Sequence, residues 1–149
     1  MRVLRYHVPM GATNVLEPVL LERVRAVLEA GPPLALAVLF GSRASGRTRA
    51  DSDVDLGIVP IDPKIALADE LALASTLSSV FGAEVDLVRL DGDNPLLGRE
   101  VARTGVCVFE RSAGAFAAFR AGAMSRWIDF DETVSPLRVR LLRRLAAGT

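Results

Sequence analysis

Two aspartates spaced two residues apart are the feature of this 149-residue chain best suited to chemistry. Asp53 and Asp55 stand in a segment whose Val54, Leu56 and Ile58 alternate with them, as in a half-buried β-strand. On a strand, residues i and i+2 project from one face about 6.6 Å apart, so both carboxylates can lean onto one divalent cation. Without a cation, two anions at the end of an apolar strand would be costly to bury.

A third carboxylate, Asp86, stands in the middle of the apolar segment Ala83 to Leu90. If that segment is a neighbouring strand, Asp86 completes a set of three carboxylates that could hold two metal ions, roughly 3.5–4 Å apart. The alternative is a turn followed by strands with exposed acids, which needs no metal. This alternative is stronger for Asp86 than for the pair, because a single residue supports it.

The loop before the aspartate pair has the composition of an anion site. Gly41 lets the backbone approach a phosphate closely, and Ser42 offers both a hydroxyl and an amide. Arg43 adds positive charge to this loop, as do Arg47 and Arg49. A cation held by aspartates beside such a turn is what a magnesium–nucleoside triphosphate requires. The loop has no Gly-Lys-Ser/Thr and is therefore not a P-loop.

The elements that must position these residues alternate between helices and strands, which predicts an α/β (α+β) fold with flanking helices on a small mixed sheet. The first helix is expected to bury Val19, Leu20, Val24, Val27 and Leu28. In chain order the predicted elements are a helix over 17–30, a strand over 34–40, a polar loop over 41–52, a strand over 53–59, a helix over 63–81, a strand over 83–90, a short helix begun by Asn94-Pro95 and ending near 105, an edge strand over 106–110, and two helices from 112 onward broken near 131–136.

Composition excludes several classes of protein. Eighteen basic and eighteen acidic residues cancel, so we expect no strong binding to a long nucleic acid. A single cysteine, Cys107, excludes a disulfide framework and a cysteine-based zinc cluster. No apolar run approaches the roughly 20 residues needed to span a bilayer. We therefore expect one cytoplasmic domain over 1–149 without a membrane anchor, as a monomer or an oligomer.

At Gly41, Ser42, Arg43, Asp53, Asp55 and, by position, Asp86, the sequence resembles the nucleotidyltransferase superfamily with the polymerase-β-like fold. In this motif, ten residues counted from Arg43 to Ser52 lie between Gly41-Ser42 and the aspartate pair. More narrowly it resembles the minimal nucleotidyltransferases, commonly the antitoxins of HEPN/MNT toxin–antitoxin pairs. The segments 99–101 and 105–110, followed by an arginine- and aromatic-bearing helix, are similar as well.

The resemblance implies a mechanism. Asp53 and Asp55 would hold the Mg²⁺ that bridges the triphosphate of ATP, and Asp86 would help to hold a second ion and deprotonate the acceptor. Gly41, Ser42 and Arg43 would bind the nucleotide. AMP would pass to a hydroxyl of a HEPN-type toxin. The C-terminal helices, over about 112–147, carry aromatic and arginine side chains of the types enriched at protein interfaces, so we expect them to hold the toxin, and we expect the acceptor to be a tyrosine.

Two other functions stay open at this point. One is a nucleotidyltransferase acting on a small molecule such as an aminoglycoside, and the other is a non-catalytic antitoxin that acts by binding alone. The C-terminal aromatics are expected to form core or partner interface rather than a base-stacking platform; they are Phe116, Phe119, Trp127 and Phe130. A solvated helix face or a dimer contact is the default for the arginine cluster, with phosphate or partner binding as the alternative; its members are Arg138, Arg140, Arg143 and Arg144.

Overall fold

A computed structural model describes residues 15–45 and 52–148 of the chain. Helices alternate with strands, which confirms the predicted fold class. The elements are α1 (Pro18–Ala30), β1 (Leu34–Phe40), a 3₁₀ turn (Gly41–Arg43), β2 (Val54–Pro60), α2 (Leu67–Phe81), β3 (Val85–Arg89), α3 (Pro95–Thr104), β4 (Val106–Glu110) and α4 (Ala115–Ala147).

The four strands form one mixed sheet in the order β3-β2-β1-β4, with β4 at an edge as predicted. Strand β1 is antiparallel to both β2 and β4, whereas β2 and β3 are parallel. The C-terminal end of β1 and the N-terminal ends of β2, β3 and β4 therefore lie together at one end of the sheet. The loop after Phe40 and the aspartate pair both lie at this end.

Helices cover the two faces of the sheet. On one face, α1 and α2 bury the larger core, which includes Leu28, Leu56 and Leu77. On the other, α3 and the start of α4 pack against a smaller cluster that includes Val38 and Val101. Side chains alternate between the faces along a strand, so this second face is the one to which the residues between Val54, Leu56 and Ile58 project.

The buried face of α1 is as predicted at Val24 and Leu28, with Leu20 and Val27 packed against the core, and differs at one position. Val19 is 62% exposed, and Leu21 is buried instead. Arg25 is also buried, because its Nε donates a hydrogen bond of 2.9 Å to the carbonyl of Val108 on β4. A prediction from the spacing of apolar residues misses Arg25, because a guanidinium can be buried when carbonyl oxygens accept its hydrogen bonds.

Helix α2 begins at Leu67 rather than near residue 63. The Asp62 carboxylate accepts the Lys64 amide at 2.9 Å, and the Asp62 carbonyl accepts the Ile65 amide at 3.3 Å. An aspartate that bonds the backbone two residues later favours a turn over a helix. The short helix α3 begins as predicted, with Oδ1 of Asn94 accepting the Leu97 amide at 3.1 Å.

The prediction of two C-terminal helices is wrong, because α4 is one helix of 33 residues with Pro136 inside it. A proline inside a helix removes the hydrogen bond that its own amide would donate, here to the carbonyl of Glu132, and its ring crowds that carbonyl, at a cost of about 3 kcal/mol. Both residues are exposed, so water can solvate that carbonyl. In the part of the chain that the structure describes, no helix is both long and apolar enough to cross a membrane.

Candidate active site

The three predicted aspartates lie at the end of the sheet where β2 and β3 begin. Asp55, the second residue of β2, is paired in register with Asp86, the second residue of β3. Asp53 lies two residues before Asp55, immediately ahead of the strand. Strand alternation places all three on the face covered by α3 and α4. Asp55 is half-buried, whereas Asp53 and Asp86 are exposed.

The turn after β1 lies directly against this set. Gly41 has φ +73°, in the left-handed region that side chains rarely adopt, and a Cβ built on it would overlap Oδ2 of Asp55. The end of β1 brings the two together, because Phe40 is paired with Asp55 across β1 and β2. The predicted phosphate turn and the predicted metal carboxylate are therefore in contact.

The charges of the three aspartates act on one another. Burial raises the pKa of the Asp55 carboxyl, and the neighbouring charges of Asp86 and Asp53 raise the pKa further. Like charges held this close disfavour ionisation, and a bound cation relieves them. The cluster thus has the electrostatic character of a cation site.

The donor atoms fit magnesium. Within residues 15–45 and 52–148, no group of three His, Cys, Asp or Glu side chains is placed to hold a metal ion by itself. Magnesium is usually bound by one or two carboxylates together with substrate phosphates, rather than by an all-protein cage. A cluster of carboxylate oxygens beside a phosphate-binding turn matches that requirement.

The 3₁₀ turn has its own hydrogen bonds. The Gly41 carbonyl accepts the Ala44 amide and, at 3.3 Å, the Ser45 amide, while Oγ of Ser45 donates to the Ser42 carbonyl at 3.0 Å. These bonds hold the backbone in its turn. The Ser42 side chain is exposed and thus accessible to a ligand.

Arg43 contacts the backbone at the far end of its loop. Its Nη2 and Nε donate to the carbonyl of Ser52 at 2.9 and 3.3 Å. Ser52 immediately precedes Asp53, so the guanidinium joins the phosphate turn to the start of the aspartate pair. In the structure, its contact is therefore with the protein backbone. Arg47 and Arg49 lie outside the described residues.

Sequence reasoning missed several polar residues that fix α3 and α4 on the aspartate face. Buried Glu110, at the end of β4, accepts the Phe116 amide of α4 at 2.9 Å. Nε of Arg120 donates to the Ala102 carbonyl of α3 at 2.9 Å. A glutamate that ends an apolar strand just before a helix was the available signal for the first contact.

The C-terminal aromatics belong largely to the packing of the domain. Phe116 and Phe119 pack on the smaller core cluster, with ring centroids 6.4 Å apart. The guanidinium of Arg99 on α3 lies 4.9 Å from the ring centroid of Trp127, which is half-buried. Trp127 therefore contributes to the contact between α3 and α4.

Comparison with protein families identifies a match that spans the sheet. The family described as polymerase beta, nucleotidyltransferase matches residues 22–114. That range contains β1 to β4 and all three aspartates.

Two curated relatives are both named protein adenylyltransferase MntA. The protein from Aphanizomenon flos-aquae is 30% identical over 98 residues, covering 60% of this chain and 65% of the relative. The protein from Shewanella oneidensis is 34% identical over 74 residues, covering 50% of this chain and 52% of the relative. The chain thus spans about half to two thirds of the length of these relatives.

Solved structures share the fold. A toxin–antitoxin structure with AMP-PNP superposes with a TM-score of 0.71 at 22% identity, covering 82% of this chain and 98% of the other. A second is the tri-AMPylated Shewanella oneidensis HEPN toxin in complex with its MNT antitoxin. It gives a TM-score of 0.68 at 20% identity and covers 85% and 99% of the two chains.

Proposed function

This chain belongs to the polymerase-β nucleotidyltransferase family, and on that premise we propose that it is an antitoxin that transfers AMP from magnesium–ATP to a HEPN-type toxin. The observation that carries the proposal is the contact between the Gly41 turn and Asp55, within a cluster that also contains Asp86 and Asp53. This arrangement joins a phosphate site to a cation site, as nucleotidyl transfer requires.

Asp53 and Asp55 would hold the first Mg²⁺, and Asp86 would help to hold a second. Bound magnesium supplies positive charge that offsets the charge of the triphosphate and of the aspartates. The half-buried position of Asp55 favours metal binding, because the coordinating oxygen is partly shielded from competing water.

Ser42, with the amides of the turn, would bind the outer phosphates and so orient the α-phosphate toward the acceptor. The acceptor oxygen forms a bond to the α-phosphorus while the bond to the β-phosphate oxygen breaks, and pyrophosphate leaves. Asp86 would accept the hydroxyl proton, because its exposed carboxylate is accessible to an acceptor that enters from solvent. The contact of Arg43 with Ser52 would keep Asp53 in place relative to the turn.

The acceptor that we propose is a tyrosine hydroxyl of the toxin, modified in the cytoplasm, where ATP is supplied. The name protein adenylyltransferase, carried by both curated relatives, supports a protein acceptor. The structural relative with a tri-AMPylated HEPN toxin supports this type of partner. In this chain, α3 and α4 lie on the aspartate face, so a protein bound to them would approach the site from the correct side.

The position of the ATP label distinguishes the proposed reaction from its alternatives. Purified chain is mixed with magnesium, ATP and a candidate HEPN-type partner protein. Label from the α-phosphate should enter that protein, and label from the γ-phosphate should not. Asp53→Asn/Asp55→Asn should remove the transfer. A tightly bound but unlabelled partner would instead favour inhibition by binding alone, and transfer only to an added small molecule would favour an aminoglycoside-type enzyme.

A further inference from the structure

The C-terminal half of α4 carries a row of exposed apolar side chains. Leu137, Leu141 and Leu145 are 58%, 57% and 63% exposed. Residues four apart lie on one face of a helix, so the three form a continuous strip, here called the distal row. Large apolar side chains exposed on successive turns mark a surface that binds something.

The distal row continues a line that begins inside the domain. Trp127, Phe130 and Val134 precede Leu137 and Leu141 at alternating spacings of three and four residues. This is the spacing by which two helices pack along a seam. The first part of the line is half-buried, with the ring centroids of Trp127 and Phe130 5.6 Å apart. Its second part, the distal row, is exposed.

The charge around the distal row is mostly positive. No Asp or Glu follows Glu132 in the sequence. Among the residues that the structure describes, only Arg138 of this segment is close to an acid, with its Nη2 3.6 Å from the Asp131 carboxylate. The arginines of this segment are all exposed, and they are Arg138, Arg140, Arg143 and Arg144.

We propose that the distal row docks a helix of the toxin partner whose apolar strip is flanked by Asp and Glu. This inference rests on the proposed function, since it identifies the surface that holds the same partner. Charge decides the partner's chemistry, because a row flanked by Arg138, Arg140 and Arg144, each three residues from a leucine of the row, is complementary to an acidic helix. A second copy of the row is disfavoured, because pairing would bring both sets of arginines together.

Two substitutions of the same type separate the row from the rest of the helix. Leu141→Glu places a charge in the centre of the row. Val139→Glu places the same charge on nearly the opposite side of the helix, about 160° away. Val139 is 44% exposed, so both sites accept glutamate without core disruption. Affinity for the HEPN-type partner is measured by calorimetry without ATP or magnesium, so that no transfer reaction contributes.

We expect Leu141→Glu to weaken partner binding about tenfold or more, and Val139→Glu to change it less than about twofold. Arg140→Glu/Arg144→Glu should weaken binding at low salt, and the loss should diminish at high salt. Equal affinity for the two glutamate variants, both helical by circular dichroism, would overturn the inference.

Other occupants give different results. Binding to phosphatidylserine vesicles that Leu141→Glu abolishes, with unchanged partner affinity, would assign the row to a membrane surface. A dimer that dissociates in Leu141→Glu, again with unchanged partner affinity, would assign it to a second copy. If Leu141→Glu shows normal AMP transfer and unchanged partner affinity, this inference is refuted and the proposed function stands. If Leu141→Glu weakens partner binding but the wild type transfers no AMP, the inference stands and the proposed function is refuted.

Discussion

The turn at Gly41 and the carboxylate of Asp55 occupy adjoining space, such that a Cβ on Gly41 would overlap Oδ2 of Asp55. Two separate requirements thus coincide at one residue. The backbone there has φ +73°, which favours glycine, and the absence of a side chain leaves room for the carboxylate. A phosphate bound to the turn would consequently lie beside the metal ligand.

Replacing Gly41 should therefore cost more than the backbone conformation alone. Gly82, with φ +67° and no atom within 4 Å of a built Cβ, is the matched control. We expect Gly82→Ala to lower the free energy of unfolding by about 1 kcal/mol and Gly41→Ala by about 2–3 kcal/mol, measured by urea denaturation. Adding Asp55→Ala to Gly41→Ala should recover part of the loss, whereas strictly additive effects would show that the two residues do not interact.

Asp55 should make the metal-free protein less stable as the pH rises. Burial and the charges of Asp86 and Asp53 raise the pKa of its carboxyl, so the folded state binds the proton more tightly than the unfolded state. The associated stability is present below the unfolded pKa of about 3.9 and is lost as pH rises through the folded pKa. Asp55→Asn should therefore melt at a higher temperature than wild type at pH 7 in EDTA, and this advantage should shrink on acidification.

The control for this measurement is Asp93→Asn, because Asp93 is an exposed acid in the loop between β3 and α3. Calorimetric scans at several pH values give the melting temperatures. Magnesium should raise the melting temperature of wild type and not that of Asp55→Asn. An Asp55→Asn variant that is less stable than wild type at pH 7 in EDTA would contradict the proposed electrostatics.

Ser42→Ala should weaken the binding of ATP more than the binding of AMP. The exposed hydroxyl of Ser42 is assigned to the outer phosphates, which AMP lacks. Loss of one hydrogen bond to a charged phosphate corresponds to about 1.5–3 kcal/mol, or a roughly tenfold or larger effect on affinity. Calorimetry with both nucleotides checks this, and an equal loss for the two would remove Ser42 from the outer-phosphate role.

Substitutions of Arg43 distinguish two roles for its side chain, positioning of Asp53 and binding of phosphate. If its contact with the Ser52 carbonyl positions Asp53, Arg43→Lys and Arg43→Gln should both weaken Mn²⁺ binding several-fold, because neither side chain reproduces the two guanidinium donors. Mn²⁺ binding is measured by electron paramagnetic resonance without nucleotide. If Arg43 instead binds phosphate through its charge, Arg43→Gln should weaken ATP binding in EDTA and Arg43→Lys should largely preserve it.

The sequence predicted the helices and strands better than it predicted which strands are neighbours and in what register. The apolar run Leu34–Phe40 and the acid-interrupted strand after it were readable, because residue type and period reflect local burial. The register that places Asp55 beside Asp86 was not, since it depends on which strands are neighbours in the sheet. Three aspartates could therefore be proposed as a set, while the contact of Gly41 with one of them could not.

The remaining differences arise where local preference and tertiary packing disagree. Pro136 predicted a break, but an exposed helix tolerates the loss of one hydrogen bond, and α4 continues to Ala147. Arg25 is buried because a carbonyl on β4 accepts its donor, which no periodicity indicates. For Arg43, charge alone favoured a phosphate contact, whereas the structure pairs its guanidinium with the Ser52 carbonyl nine residues later.

The most direct test of the central claim is intact-mass spectrometry of the HEPN-type partner after co-incubation with this chain, ATP and magnesium. With the wild type, we predict that the partner gains one or more adenylyl increments, each the mass of AMP less that of one water, and that fragmentation of the product places them on tyrosine. With the folded and partner-binding Asp53→Asn/Asp55→Asn variant, we predict no gain. A partner of unchanged mass with the wild type, or an equal gain with the variant, would contradict the assignment of this aspartate cluster to adenylyl transfer.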